Sequence, residues 1–143
     1  MYIFKPVTDM NVLSEFFSDD VNGGYIGFEG EEIIGRCSLL VDGSKVTVKT
    51  IEFDADKPDI GEGLLRAALN FGANRNAYYA YCSCENAIDV MKLMGFEENN
   101  GVYSGDIPTL LTILYLLSIF LILDYVLITG SYILKKLITK EKI

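Results

Sequence analysis

The sequence predicts an α/β (α+β) body built on a mixed, mostly antiparallel sheet flanked by helices, followed by a C-terminal hydrophobic helix. Three observations carry this reading. Short stretches of alternating apolar and polar residues, bounded by Gly and Asp turn signals, recur through the first half of the chain. Residues 60–74 place apolar side chains along a broad helical face that needs a sheet to cover it. At Thr109 the composition switches abruptly to a long apolar run. The segments divide the chain into a body at 1–109, a hydrophobic helix at 110–134 and a basic tail at 135–143.

In chain order, Tyr2 to Val7 alternates and reads as a strand. Thr8 and Asp9 are N-cap types, and Val12, Leu13, Phe16 and Phe17 recur at helical spacing after them. Ser18 to Gly24 is rich in turn residues and reads as a break. Tyr25 to Glu29, Ile33 to Val41 and Lys45 to Phe53 follow as three strands. A polar turn at Gly30-Glu31-Glu32 and a hairpin signal at Asp42-Gly43 separate them, so an antiparallel meander is expected. The helix at Ile60 to about Asn74 presents Ile60, Leu64, Ala67, Ala68 and Phe71, widened by Leu65 and Leu69. Ala77 to Cys82 reads as a strand, and Ala87 to Met94 as a helix stopped by Gly95. Phe96 to Tyr103 holds the turn Asn99-Asn100-Gly101 and suits a last short hairpin. The order is β-α-β-β-β-α-β-α-β.

Composition excludes several classes of chemistry. The chain of 143 residues is one domain's length and contains no histidine. That removes every Ser-His or Cys-His nucleophile system and the commonest metal ligand. Residues 1–109 hold 8 Lys/Arg against 18 Asp/Glu, with no basic stripe, so no nucleic-acid partner is expected. Cys37, Cys82 and Cys84 are odd in number and follow no N-terminal apolar signal segment, which argues against a secreted disulfide framework. Cys82-Ser83-Cys84 is too tight for an ordinary zinc pair, so no metal site is expected and the thiols read as small buried groups in a reduced, intracellular domain.

The stretch with the most chemical content is Ile51 to Gly72, a strand, an acidic turn and a helix with Gly61 and Gly63 in its first turn. Free N–H groups at a helix N-terminus, backed by the helix dipole, suit a phosphate or pyrophosphate. A missing Cβ lets a ligand approach the backbone closely. The plainer alternative is that the two glycines ease the chain into the helix and pack against a neighbour. Against an anion stand Asp54, Asp56, Asp59 and Glu62, whose carboxylates already satisfy the dipole.

This arrangement resembles the GNAT superfamily of acyl-CoA-dependent N-acetyltransferases. The resemblance spans residues 2–103 in element order and is specific over residues 51–96. Gly61-Glu62-Gly63 matches the glycine pair of the family's phosphate loop, and Ala87 with Gly95-Phe96 matches a later signature. It implies acetyl-CoA as co-substrate. The backbone at Phe53 and Ala55 would lie along the pantetheine, and the amides of Asp59, Ile60, Gly61, Glu62, Gly63 and Leu64 would lie at the pyrophosphate. It implies a carboxylate base for the amine, Glu52 or Asp54, which otherwise read as ordinary strand-end and loop acids. Tyr78, Tyr79, Tyr81 and Tyr103 are alternative acids on a tyrosine-rich strand edge that otherwise reads as packing. Three positions depart from the pattern. Pro58 stands where Arg or Gln is usual, with Lys57 one place out of register. Cys84 stands for a frequent asparagine. Met91 stands for the tyrosine that protonates the departing thiolate, and a thioether donates no proton.

Two functions follow. One is an acetyltransferase acting on a small amine, with the acidic body favouring a cationic acceptor. The other is a GNAT-fold binding or interaction module without catalysis, anchored at a membrane. Oligomeric state is not readable from the sequence.

Leu110 to Leu134 is apolar over 25 residues apart from Asp124, roughly 37 Å as a helix at about 1.5 Å per residue. A bilayer core needs about 20 such residues. The expectation is membrane association through this single segment, with the body in the cytoplasm. Lys135, Lys136, Lys140 and Lys142 argue the opposite orientation by the positive-inside rule. An interfacial helix, or an extension unrelated to the body, such as a shifted reading frame, are the other readings of so sharp a switch.

Overall fold

Strand β1 (Tyr2–Val7) pairs antiparallel with β2 (Gly23–Glu29), from Tyr2 against Glu29 to Val7 against Gly24. The structure is a computed structural model that describes residues 1–17, 20–112, 123, 126–130 and 133. Between the two strands lies helix α1 (Met10–Phe16), whose N-cap Asp9 accepts the Asn11 amide at 2.9 Å. Leu13, Phe17 and Val21 form a small cluster there, edged by Val7 and Phe16.

Strands β3 (Glu32–Asp42) and β4 (Lys45–Phe53) extend the meander. Its turns use Gly30 and Gly43, at φ 63° and 58°, a left-handed backbone that glycine adopts without strain. Helix α2 (Pro58–Ala73) crosses to β5 (Tyr79–Cys82), which pairs with β4 in parallel. A single 3₁₀ turn (Glu85–Ala87) leads into helix α3 (Ile88–Met94), which Gly95 ends at φ 94°. Strands β6 (Glu97–Asn99) and β7 (Val102–Asp106) close the chain order. The result is a mixed seven-stranded sheet in the order β1-β2-β3-β4-β5-β7-β6.

The core lies between the sheet and α2. Ile60, Leu64, Leu65, Ala68, Leu69 and Phe71 are all buried on that helix, as its apolar face predicts. Each fully buried Leu or Ile contributes about 1.5–3 kcal/mol. From α3, Val90, Met91 and Met94 add to the core.

Several boundaries differ from the sequence reading, for identifiable reasons. Strand β2 begins at Gly23 rather than Tyr25. The Phe71 ring fills the space a side chain at Gly23 would need, so this glycine thins the sheet beneath a ring instead of making a loop. Helix α2 starts at Pro58, because proline at the first helical position gives up an N–H that has no helical partner there. Strand β5 starts two residues later than expected, since Ala77 and Tyr78 donate their amides to Gly72 and Ser44 in the connecting turn. The last hairpin gives two strands where the predicted order counted one. Asn100 and Gly101, at φ 53° and 82°, form its two-residue turn.

The chain divides into two compact units, Met1–Leu111 and Thr112–Ile143. Ile107 and Leu110 are buried in the first unit, with Leu110 packed over Gly105. In the second, the described residues 123, 126–130 and 133 are helical. Among the described residues no helix is long and apolar enough to cross a membrane. Most of the predicted hydrophobic helix at 110–134, and the whole basic tail at 135–143, lie outside them.

Candidate functional site

The central feature is a fork in the sheet. Parallel pairing of β4 with β5 runs from Lys45 opposite Tyr79 to Val48 opposite Cys82 and stops there. Strand β4 continues to Phe53, while the other branch turns off into the 3₁₀ turn. The register shift against β3 between Ser38 and Leu39 falls at the same level. A β4 backbone edge is thereby left without a neighbouring strand. Two side chains reach across to it. The Cys84 thiol donates to the carbonyls of Lys49 at 3.5 Å and Val48 at 3.9 Å, and the Asn86 amide donates to that of Ile51 at 2.7 Å.

Beyond the fork, Phe53 leads into the acidic turn. Asp54 accepts the Asp56 amide on its carboxylate at 3.0 Å and the Lys57 amide on its backbone carbonyl at 2.9 Å. Ala55, Asp56 and Asp59 are exposed. Helix α2 has no side-chain cap, since its N-cap is Lys57. The Ile60 amide already bonds the Lys57 carbonyl at 3.1 Å. Glu62 pairs with Arg66 one turn along at 3.2 Å. Ile60, Gly61 and Leu64 are buried; Glu62 and Gly63 are half-buried.

The two glycines face the sheet. Phe4, Gly27, Gly35 and Phe53 are in register across β1 to β4 and form a row with a ring at each end and a bare middle. The first turn of α2 sits on that row. A β-carbon on Gly61 would lie 2.7 Å from the Phe53 ring, one on Gly63 would enter the Phe4 ring, and one on Gly35 would lie 3.0 Å from Ile60. Of the two readings of these glycines, packing against a neighbour is the one the geometry bears out. The space at their α-carbons is filled by phenylalanine, so what remains for an anion is the amide end of the helix.

On the opposite face, Ile26, Arg36 and Glu52 are in register across β2 to β4. Arg36 grips Glu52 with Nε at 2.7 Å and Nη2 at 3.3 Å from the two carboxylate oxygens, and this pairing raises the guanidinium's already high pKa. Glu52 and Asp54 thus line one cleft of about 390 Å³ together with Arg36, but each also has a structural partner. Beside it the Ser38 and Thr50 hydroxyls share a hydrogen bond of 2.6 Å.

The remaining groups of the sequence reading lie in the core or at an edge. Met91 is fully buried, without access to the cleft. Tyr103 is buried, while Tyr78 and Tyr79 are exposed and stack edge to face at 4.9 Å. Burial pushes the Cys37 thiol up to about 12. The Cys82 thiol is raised by its hydrogen bond to Cys84 and then by burial. None of the three cysteines is in a disulfide, and no metal-binding cluster exists among the described residues. Arg36, Phe4 and Asn86 escaped the sequence reading, because their partners Glu52, Gly63 and Ile51 are distant in sequence and nothing local marks them.

No family model matches the chain, and no curated protein matches its sequence. Solved structures do. The chain is similar to the ribosomal-protein-S18-alanine N-acetyltransferase of Escherichia coli, with a TM-score of 0.57 and 12% identity over 75% of this chain and 94% of that one. It is similar to a GNAT family acetyltransferase from Elizabethkingia anophelis, solved with acetyl-CoA bound, with a TM-score of 0.56 and 14% identity over 73% and 97%. A GNAT family acetyltransferase from Staphylococcus aureus Mu50 gives a TM-score of 0.53 and 11% identity over 75% and 99%. At such identities the likeness is one of fold. The body of this chain has the fold of the GNAT acetyltransferases.

Proposed function

We propose that the body binds an acyl-CoA, acetyl-CoA in the first instance, at the fork between β4 and β5 and transfers the acetyl group to a small amine. The observation that carries this is the fork itself. A parallel pair that stops at Val48, beside a strand that runs on to Phe53 and into an uncapped helix, offers both a backbone edge and helix amides to one extended ligand. Pantetheine would lie along β4 toward Phe53 and Ala55. The pyrophosphate would lie at the amide end of α2, over residues 59–64. Lys57 is the one cation in the turn, against Asp54, Asp56 and Asp59, so the site is better shaped than charged for a diphosphate.

The reaction would occur on the cleft side. The amine gives its surplus proton to Glu52 or Asp54, and its nitrogen attacks the thioester carbonyl. The C–N bond forms, the C–S bond breaks, and the proton that the acylated nitrogen must still shed passes, directly or through solvent, to the thiolate of CoA as it leaves.

A second reading has its own observation. Asn86 and Cys84 already occupy β4 carbonyls at the fork, Arg36 holds Glu52, and Met91 is buried. A GNAT-fold binding module without catalysis fits these contacts. Calorimetric titration of the full chain with acetyl-CoA, followed by an assay for released CoA thiol with an amine panel, separates the two. Binding with turnover supports the enzyme, binding without turnover supports the module, and no binding rejects both as acyl-CoA proteins.

We also propose that residues 110–134 attach the chain to a membrane. Length and apolarity support this, and Asp124 costs only about 2.5–3.5 kcal/mol on the insertion scale, which many Leu and Ile offset.

A further inference from the structure

The cleft at Arg36 and Glu52 combines two properties that together select a ligand class. Its walls are apolar: Phe16 from α1, Ile26 from β2, Ile33 and Ile34 from β3, and Phe53 from β4. Its charged groups are three, Arg36, Glu52 and Asp54. Arg36 and Glu52 neutralise each other through the contacts at 2.7 and 3.3 Å. Among the described residues, Asp54 is left as the one carboxylate of the cleft without a cationic partner; its Oδ1 accepts the neutral Asp56 amide. Within its own lining the cleft therefore carries a single surplus negative charge beside apolar side chains, while Glu15 lines the adjoining hollow that shares Phe16, Arg36 and Glu52.

We propose that this cleft takes a monoamine with a compact apolar body, an arylalkylamine or short alkylamine. The ammonium would sit at Asp54 and the apolar part against Phe16, Ile26 and Ile34. This rests on the acceptor side of the acetyltransferase reading and narrows its substrate class. One surplus carboxylate matches one ammonium. A polyamine would place further charges against isoleucine and phenylalanine, where a charge without a partner is costly. An amino acid or a peptide C-terminus would bring a carboxylate that must compete with Glu52 for Arg36. The volume of about 390 Å³ is at the low end for small-molecule pockets, which suits an amine of a few carbons to one aromatic ring.

The test uses the full-length chain and calorimetry with 2-phenylethylamine, hexylamine and spermidine, each without acetyl-CoA. Saturable binding of the two monoamines, at least tenfold tighter than spermidine, is expected. Asp54→Asn keeps the oxygen that accepts the Asp56 amide and removes only the charge, so it should weaken 2-phenylethylamine about tenfold with the fold unchanged by circular dichroism. Glu52→Gln leaves Arg36 uncompensated and should weaken it by a similar factor. Spermidine binding as tightly as the monoamines, or Asp54→Asn leaving monoamine affinity unchanged, overturns the assignment. A separate acetyl-CoA titration distinguishes the two levels. If acetyl-CoA binds and only spermidine is acetylated, the amine class is wrong and the enzyme reading stands. If the monoamines bind as expected and acetyl-CoA does not, the cleft assignment stands and the enzyme reading fails.

Discussion

The Phe4 ring occupies the place of a side chain at Gly63. It is held from below as well, since a β-carbon on Gly27 would lie 3.1 Å from the same ring. The ring is therefore clamped between strand β2 and helix α2, and Gly63 is a packing glycine.

Gly63→Ala tests that clamp. Alanine gains about 1 kcal/mol of helix propensity over glycine. Forcing a methyl group into a ring that cannot retreat costs about 1–3 kcal/mol. A net loss of about 1 kcal/mol is expected, read as a lower urea midpoint. Combining it with Phe4→Leu should remove most of the added cost. A Gly63→Ala protein more stable than the parent would show that the ring moves aside freely.

Asn86 should compete with an acyl-CoA for the β4 edge. Its amide is 2.7 Å from the Ile51 carbonyl. Asn86→Ala should cost about 0.5–1.5 kcal/mol of stability and tighten acetyl-CoA by roughly twofold to tenfold, as an acceptor is freed. Weaker acetyl-CoA binding in a folded Asn86→Ala protein would mean that the amide holds the ligand rather than its place.

Met91→Tyr does not restore a proton donor. Met91 has no solvent exposure, and a longer, rigid ring with a hydroxyl would overpack the core beneath α3. Thermal midpoints should fall, by about 1–3 kcal/mol of stability, and any acetyltransferase activity per folded molecule should not rise. A rise in activity would place the tyrosine hydroxyl in the cleft, against the burial of this position.

Asp106 caps the helical turn at residues 107–112 by accepting the Thr109 amide at 3.1 Å. Hydrogen bonds from the Thr109 side chain and backbone hold its carboxyl below the usual value of 3.8. A depressed folded pKa means that the cap is fully present above the unfolded value and is lost as pH falls through the folded one. An NMR titration of the Asp106 carboxyl carbon should give a midpoint below 3.8, and Thr109→Ala should move it upward. A midpoint that does not respond to Thr109→Ala refutes the side-chain hydrogen bond as its main cause, since alanine keeps the amide that makes the cap.

For the tail, the full-length chain should stay in the membrane pellet after alkaline carbonate washing. Interrupting the apolar run with Leu116→Arg and Leu121→Arg should release it. A full-length chain that is soluble and monomeric without detergent removes the anchor.

The strand and helix order was legible because side-chain period is a local property. Alternation at Lys45 to Phe53 gave strand β4 with both ends correct, and the face running from Ile60 to Phe71 gave the buried helix. Asp42-Gly43 and Asn100-Gly101 marked their turns because few residues tolerate a left-handed backbone. The absence of histidine and the acidic balance of residues 1–109 are facts of the sequence alone. What tertiary structure decided is which face each small residue turns to, and who stands opposite. Gly61 and Gly63 have the same identity whether they admit a phosphate or a phenylalanine, and only the register of Phe4, Gly27, Gly35 and Phe53 shows the phenylalanines there. Glu52 reads as a free carboxylate until β3 brings Arg36 beside it from sixteen residues away. Such pairings are set by strand register, a sum of many weak preferences along whole strands, and no single residue records it.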